Sequence, residues 1–248
     1  MNTAGQITIV QLYPEELGVA GDRGNVMAIR ERLVRAGCDV SVVEHRVGDA
    51  FPTDADLVLV GNGPVSAIRN IYDDLRAIAP ALRALEANGT PIFAYGSGAE
   101  LLGRDLTLLD GTILEGFGLF PFRTRRVTKR KVGYIIVDTQ LGQVVGFEDN
   151  ASLWQLDADA TPFGSVVAGE GNGDGTGEGV VVGASIATQV GGPVLPLNPL
   201  LTDALIRSIM NRRRFEYAPS AAHADLDRYA TRAREVISAN AKHVFSRI

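Results

Sequence analysis

Apolar and polar positions follow two different periods over the first hundred residues of the chain. Runs rich in β-branched residues predict strands at 7–12, 40–43, 57–60 and 91–95. Between them, apolar residues at helical spacing predict helices over about 25–36 and about 65–88, the second with a break at Pro80. Strands that alternate with helices in this way indicate βαβ units around a parallel sheet.

The pattern changes after Gly111, where glycine-rich connections separate shorter apolar runs. Further strands are predicted at 134–137, 144–147, 166–167 and 180–182. A helix is predicted over 198–210 and a closing amphipathic helix over 225–245, with a linker at 217–220 between them. The sequence therefore predicts one domain over residues 1–210 and a C-terminal helical extension over 211–248.

Composition excludes several classes of protein. A chain of 248 residues with 46% hydrophobic and 21% charged residues can bury the core of one large globular domain. Its formal net charge of -5 provides no basic surplus for a phosphate backbone, so no nucleic-acid partner is expected. The first residues lack the features of a secretory signal, which favours a cytoplasmic location. The charge-free stretch 179–201 contains four glycines and three prolines, so no membrane span is expected.

The residues that bind metals or form disulfides are scarce. Cys38 is the only cysteine, so the chain can form neither an internal disulfide nor a multi-cysteine zinc site. The acidic, glycine-rich segment 169–179 fits neither a calcium-binding EF-hand loop nor a Walker phosphate-binding loop. We interpret this segment as a flexible connection between strands, and we expect no metal and no cofactor.

A tight turn follows the fourth predicted strand. There Gly96-Ser97-Gly98 leads directly into the helix-like segment that begins at Ala99. Glycines on both sides permit a sharp strand-to-helix elbow, which in many enzymes presents a nucleophile above the carboxyl edge of a sheet.

A series of motifs, collinear from Ile7 to about Ile206, resembles the CobB/CobQ type of class I glutamine amidotransferases. Within that family the chain is most similar to the amidotransferase subunits of lipid II isoglutaminyl synthases. The resemblance implies a flavodoxin-like, Rossmann-like α/β sandwich, with a mostly parallel sheet and helices on both faces. The motifs are Leu12-Tyr13-Pro14, Gly21-Asp22-Arg23-Gly24-Asn25, Leu101-Leu102-Gly103, Gly146-Phe147-Glu148, Gly169-Glu170-Gly171-Asn172 with Glu178-Gly179, and Gly192-Pro193-Val194-Leu195-Pro196-Leu197-Asn198-Pro199.

The same resemblance implies that two chemically essential side chains are missing. In the family, a cysteine at the elbow attacks the glutamine carboxamide and a histidine before a Gly-Pro pair transfers the proton. The ungapped comparison places Gly96 at the cysteine position and Gly191 at the histidine position. The three histidines of the chain are His45, His223 and His243, and none is expected at the elbow. We therefore expect no catalytic residue of the family kind.

Several other residues are candidates for binding. Gly61, Asn62 and Gly63 follow the third strand, where relatives place oxyanion-stabilising amides, and either a retained pocket or a simple βα turn explains them. Arg130 falls near a family arginine, within a run of six basic residues over 123–131 that also fits a charged, exposed edge strand.

Ser97 is the competing nucleophile, since a register slip of one residue would place it at the elbow. A serine that caps the following helix explains this residue as well. Glu100 is either a base or a first-turn acid favoured by the helix dipole.

Two hypotheses for function follow. The first is a catalytically degenerate subunit that binds or scaffolds a Mur-ligase-like partner in peptidoglycan amidation, with Leu226, Tyr229 and Val236 as candidate contacts. Its crevice would still bind a small amide or amino acid, through the residues Gly61, Asn62, Gly63, Gly96, Ser97, Arg130 and Gly191. The alternative is an active glutaminase or amidohydrolase that uses Ser97.

Overall fold

A six-stranded sheet forms the centre of the computed structural model, which describes residues 5–241 and the backbone of 246–247. Its strands are β1 (Gln6–Leu12), β2 (Asp39–His45), β3 (Leu57–Val60), β4 (Ile92–Tyr95), β11 (Val180–Val182) and β12 (Ser185–Thr188). Their order is β11-β12-β4-β3-β1-β2, and every neighbouring pair is parallel except β11 with β12. The predicted parallel sheet is thus confirmed.

Helices cover both faces of this sheet, as the resemblance implied. On one face, α1 (Asp22–Arg35) and α5 (Pro199–Arg212) pack on alternate residues of β1 and β3. On the other, α2 (Val65–Ala87) and α3 (Gly96–Leu102) pack on the residues between. The predicted break at Pro80 is wrong: α2 continues through it, because the apolar face from Ile68 to Leu85 is buried on both sides of the proline.

A second sheet contains two strands much longer than the sequence predicted. They are β7 (Phe122–Thr139) and β8 (Gly142–Leu156), which form an antiparallel hairpin. The remaining strands of this sheet are β5 (Asp105–Thr107), β6 (Ile113–Glu115), β9 (Gly164–Ala168), β10 (Gly177–Glu178) and β13 (Ser246–Arg247).

The interpretation of the basic run at 123–131 as an exposed edge strand holds only in the middle of the run, because strands flank it on both sides at 123–125 and at 131. The run lies in β7, which pairs with β8 on one side and with β5 and β13 on the other. Acidic side chains of the same chain bind several of its cations: Arg123 pairs with Asp105, and Arg126 pairs with Glu100. The positive charge that the sequence presents is therefore largely neutralised within the fold.

The segment 169–179 is also more ordered than predicted. Glu148 accepts hydrogen bonds from the backbone amides of Glu170 (2.9 Å) and Gly171 (3.1 Å). Asn172 bridges the segment internally, since its side chain accepts from the Gly179 amide at 2.9 Å and donates to the Gly179 carbonyl at 3.3 Å. These hydrogen bonds between buried groups fix the segment 169–179 in place. Composition does not reveal them, so the sequence suggested a flexible connection.

The C-terminal part packs against α1. A short 3-10 turn (Ala221–His223) leads into α6 (Ala224–Asn240), and the predicted continuation to Phe245 lies outside the described residues. The predicted linker is held to the body, because the Tyr217 hydroxyl donates to Asp203 at 2.7 Å. The boundary at residue 210 stays a prediction, and α5 runs across it. No helix among residues 5–241 has the length and apolar character needed to span a membrane.

Candidate functional site

The elbow lies at the carboxyl end of β4, where α3 begins without an intervening loop. Gly96 has φ +54°, in the left-handed region that residues with a Cβ rarely adopt. Every residue of α3 is buried. The sharp backbone turn therefore falls on Gly96, the position that the resemblance aligned with the nucleophile, and not on Ser97.

Ser97 is fixed by the turn that follows β3. Its Oγ donates to the Gly63 carbonyl and accepts from the Gly63 amide, both at 2.8 Å, and the residue is 2% exposed. The prediction that this serine caps α3 is wrong, because its hydroxyl binds a neighbouring turn and not an amide of its own helix. Both hydrogen-bonding roles of the hydroxyl are used in a structural contact.

Asn62 occupies the space in front of the elbow. Its Oδ1 accepts a hydrogen bond from the Ser97 amide at 2.9 Å. A Cβ built on Gly96 would lie 2.4 Å from this oxygen and 2.7 Å from the Asn62 Cγ. The carboxamide of Asn62 thus fills the volume where an elbow side chain would begin.

The side chain of Tyr95, the residue before the elbow, lies against Gly191. Gly191 follows β12 and exchanges two backbone hydrogen bonds with Phe147 of β8, at 2.9 and 3.0 Å. A Cβ on Gly191 would lie 2.0 Å from the Tyr95 hydroxyl oxygen. Burial raises the pKa of Tyr95, so this phenol stays protonated at neutral pH. An aromatic ring from the last residue of β4 therefore fills the place of a side chain at Gly191.

A cleft of about 450 Å³ opens between the elbow, the turn after β3 and the β7–β8 hairpin. Five of the predicted binding residues line it: Asn62, Gly63, Gly96, Ser97 and Arg130. Gly61 and Gly191 do not line the cleft. The Gly61 carbonyl accepts from the Gly98 amide at 3.2 Å, so this glycine holds the turn against the elbow.

Two ion pairs form part of the cleft wall. Arg126 contacts Glu100 at 2.5 Å, with side chains 16% and 2% exposed. Arg130 contacts Asp149 at 2.5 Å nearer the solvent. Glu100 lies beyond the first turn of α3, so the first-turn interpretation is wrong, whereas a role as a base stays a prediction for this carboxylate, which pairs with Arg126.

The residues that line the cleft but were not predicted as binding residues include Tyr95, Arg126, Asp149 and Gln189. The period-two pattern of β7 and β8 carries a weak signal for two of them, since alternate residues of a strand share a face. Tyr95 and Gln189 give no local signal, because strands distant in sequence bring them to the cleft.

The histidines that the structure describes lie elsewhere. His45 Nε2 is 3.1 Å from Asp74 Oδ2, in a buried group with Tyr13 at the ends of β1 and β2. His223 Nε2 is 3.0 Å from the Arg32 carbonyl oxygen. His243 lies outside the described residues. Within the part of the chain that the structure describes, no group of three or more His, Cys, Asp or Glu side chains is arranged to hold a metal ion.

Two proteins are similar in sequence to this chain over most of its length. The subunit GatD of lipid II isoglutaminyl synthase (glutamine-hydrolyzing) from Staphylococcus aureus strain N315 is 29% identical over 217 residues, which cover 86% of this chain and 88% of that protein. The subunit of the same name from Streptococcus pneumoniae strain R6 is 27% identical over 213 residues, covering 84% and 82%.

Solved structures share the fold. A glutamine amidotransferase superposes with a TM-score of 0.52 at 15% identity, over 83% of this chain and 98% of that one. PurLQS from Thermotoga maritima gives 0.52 at 17% identity, over 84% and 98%. The profile of the CobB/CobQ-like glutamine amidotransferase domain matches residues 8–196. The chain therefore belongs to the CobB/CobQ-like glutamine amidotransferase family.

Proposed function

We propose that this chain is a catalytically degenerate, GatD-like subunit that binds or scaffolds a Mur-ligase-like protein in peptidoglycan amidation. The relatives that cover most of its length are named as subunits of a glutamine-hydrolysing lipid II isoglutaminyl synthase. The observation that carries the loss of catalysis is Gly96: an elbow with φ +54° has no side chain, and Asn62 fills the space before it.

Covalent hydrolysis of glutamine requires a nucleophile and a base within hydrogen-bonding distance of each other. At the base position the cleft has the Tyr95 phenol, whose pKa burial raises, so it cannot accept a proton near neutral pH. The other hydroxyl nearby, on Ser97, is committed to Gly63. These groups favour binding over chemistry.

The partner surface that we propose lies on α1 and α6. A mainly apolar groove of about 610 Å³ runs between these helices and the short helix α4 (Val194–Leu197). Tyr229 is 64% exposed beside it, and Met27 is 60% exposed on α1. Of the predicted contacts, Val236 is also exposed, whereas Leu226 is half-buried. Large exposed apolar side chains around a groove are typical of protein-binding surfaces.

Release of ammonia from glutamine tests the loss of catalysis. We expect no release above the buffer blank, with the chain alone or mixed with a Mur-ligase-like partner, and no change on Ser97→Ala. Turnover that Ser97→Ala abolishes would establish the alternative, a serine-dependent amidohydrolase.

Copurification of the chain with a Mur-ligase-like protein tests the proposed partner. We expect Tyr229→Asp to weaken the copurification, and Arg207→Asp, at an exposed position of α5, to leave it unchanged.

A further inference from the structure

The strand β2 forms one edge of the central sheet, and its outer side has no neighbouring strand among the described residues. It pairs with β1, beyond which the Tyr13 amide donates to the His45 carbonyl at 2.8 Å. The backbone groups of successive strand residues point to opposite sides, so the odd-numbered residues of β2 face β1. The amides and carbonyls of Val40, Val42 and Glu44 therefore point outward, away from the sheet.

The outer side of β2 lacks the features that usually protect an edge strand. Such edges are commonly blocked by a charged side chain or a proline within the strand, or by a bulge. β2 runs for seven residues in continuous register with β1, and its middle, 40–43, contains no charge and no proline. An unprotected edge of this kind is a template on which another strand can pair.

We propose that β2 pairs with β2 of a second copy of this chain, antiparallel, across a two-fold axis at Val42. The central sheets of the two copies then form one continuous sheet. A two-fold contact requires a surface that is complementary to itself. This inference goes beyond the proposed function, because no residue of β2 lines the cleft or the groove between α1 and α6.

The register centred on Val42 aligns all of β2 with its copy. Val42 lies opposite Val42 of the second copy, and Val40 lies opposite Glu44. Because these residues point outward, each such pair exchanges two backbone hydrogen bonds. Ser41 lies opposite Val43 in the pairs between them. A shift of two residues in either direction leaves strand ends unpaired, so this register forms the most hydrogen bonds.

The side chains of β2 also fit this register. Its two acids, Asp39 and Glu44, lie opposite His45 and Val40, so no acid faces an acid across the axis. Val42 packs on the core beside α1 but is only half-buried in the single chain. Its own copy covers the part that solvent reaches, as cross-strand neighbours do within a sheet. The surface is thus self-complementary in hydrogen bonding, charge and apolar contact.

Sedimentation of the full chain over a range of concentrations tests the association. A contact between two strands is small, so we expect a dimer that dissociates on dilution. Val42→Lys and Val42→Glu each place like charges opposite each other at the axis, and we expect each variant alone to be monomeric. An equimolar mixture of the two should dimerise, which also shows that both variants are folded. The matched control is Val167→Lys, at an exposed position of β9, which should dimerise as the natural chain does.

A disulfide locates the two-fold axis. In a chain in which Cys38→Ser removes the natural cysteine, Val42→Cys places two thiols in opposed positions. The Cα atoms of a hydrogen-bonded antiparallel pair are about 5.5 Å apart, a separation that a disulfide spans. We expect oxidation to give a covalent dimer. Val43→Cys in the same background is the control, because residue 43 lies opposite Ser41 and the two new thiols are too far apart.

Several results would overturn the inference. The natural chain stays monomeric at every concentration, or the Val42→Lys variant alone dimerises as the natural chain does. The mixture of the Lys and Glu variants stays monomeric, or Val43→Cys forms the covalent dimer as efficiently as Val42→Cys. None of these measurements involves ammonia or a Mur-ligase-like protein, so their failure leaves the proposed function standing.

Discussion

The hydroxyl oxygen of Tyr95 lies 2.0 Å from the point that a Cβ on Gly191 would occupy. At the elbow, Asn62 Oδ1 lies 2.4 Å from the corresponding point on Gly96. Each glycine that the resemblance aligns with a reactive side chain thus faces a larger side chain that fills its space. This packing supports the loss of catalysis that we propose.

This packing predicts a strong coupling between Gly191 and Tyr95. Gly191→Ala alone should destabilise the chain by about 1–3 kcal/mol, the usual cost of inserting a group into a packed core. Combined with Tyr95→Ala, which removes the ring, the same change should cost close to nothing. Urea denaturation of the four members of the double-mutant cycle measures the coupling. Additive costs would show that the ring does not oppose a side chain at Gly191.

Restoring glutaminase chemistry should require four changes, not two. Gly96→Cys with Gly191→His supplies a thiol and an imidazole, but Asn62 and Tyr95 occupy their space. We expect no ammonia release from that double variant and measurable release once Asn62→Gly and Tyr95→Ala are added. The control is the quadruple variant with serine in place of the new cysteine, because a hydroxyl is a much weaker nucleophile. Activity in the double variant would contradict the filled site.

Part of this site was predictable from the sequence and part was not, for a physical reason. The elbow follows from local sequence, since a strand that runs into a helix through Gly96 and Gly98 permits few backbone paths. The contact between Tyr95 and Gly191 depends on how β4, β8 and β12 pack. No periodicity over a short window encodes such a contact between residues far apart in sequence.

The fold also has a part that local sequence predicts and a part that depends on distant contacts. Five of the six strands of the central sheet and the helices on its faces were predicted from their apolar positions, whereas β12 was not. For the long β7–β8 hairpin, the sequence predicted strands at the apolar end and offered an edge strand for the basic run 123–131, but it did not predict that the two form one continuous strand. The basic run forms a strand since acids such as Asp105 and Asp157 neutralise it, and these partners are visible only in three dimensions.

Ser97→Ala separates a structural role from a catalytic one. The substitution leaves the Gly63 amide without its partner, and a buried unsatisfied amide costs about 1–3 kcal/mol. We expect a lower free energy of unfolding in urea, and no ammonia release from glutamine before or after the change. Ser208→Ala is the control, because that hydroxyl makes one bond to its own helix, to Ala204 at 3.1 Å, and its loss should cost less. Equal losses of unfolding free energy in the two variants would contradict a stabilising contact between Ser97 of the elbow and Gly63 of the neighbouring turn.

Arg32 should be the residue that joins the C-terminal extension to the sheet domain. Its guanidinium binds Asp203 of α5 through two hydrogen bonds of 2.8 Å and Asp227 of α6 through one of 2.6 Å. Arg32→Ala leaves Asp203 buried without its cation, which should cost about 3–5 kcal/mol in urea denaturation.

Arg30→Ala, at an exposed position of the same helix, should change stability by less than about 0.5 kcal/mol. A chain that ends at residue 210 loses Asp227 and Tyr217 together, and we expect it to melt at a lower temperature than the full chain. An unchanged melting temperature would show that the extension folds apart from the domain.

The buried acid Glu178 should make the protein less stable as the pH rises through neutrality. Burial raises its pKa from 4.5 to about 7, against hydrogen bonds from the Gln189 amide and the Thr188 hydroxyl. Burial likewise raises the pKa of Asp22 to about 6. For such groups the folded state binds more protons than the unfolded state between the ordinary and the raised pKa. Their contribution is therefore complete below pH 4.5 and is lost as the pH rises through 7.

For Glu178 the loss amounts to about 3 kcal/mol, at roughly 1.4 kcal/mol for each pKa unit. Asp110 and Asp174 have lowered pKa values, because backbone amides of Thr112 and Thr176 donate to them, and they titrate below this window. Urea denaturation at about pH 5 and about pH 8 should thus give the higher free energy of unfolding at the lower pH. Glu178→Gln keeps an acceptor for the Gln189 amide and cannot ionise, so it should remove most of the difference. An unfolding free energy that rises between these two pH values, in the natural chain but not in Glu178→Gln, would contradict the raised pKa of Glu178.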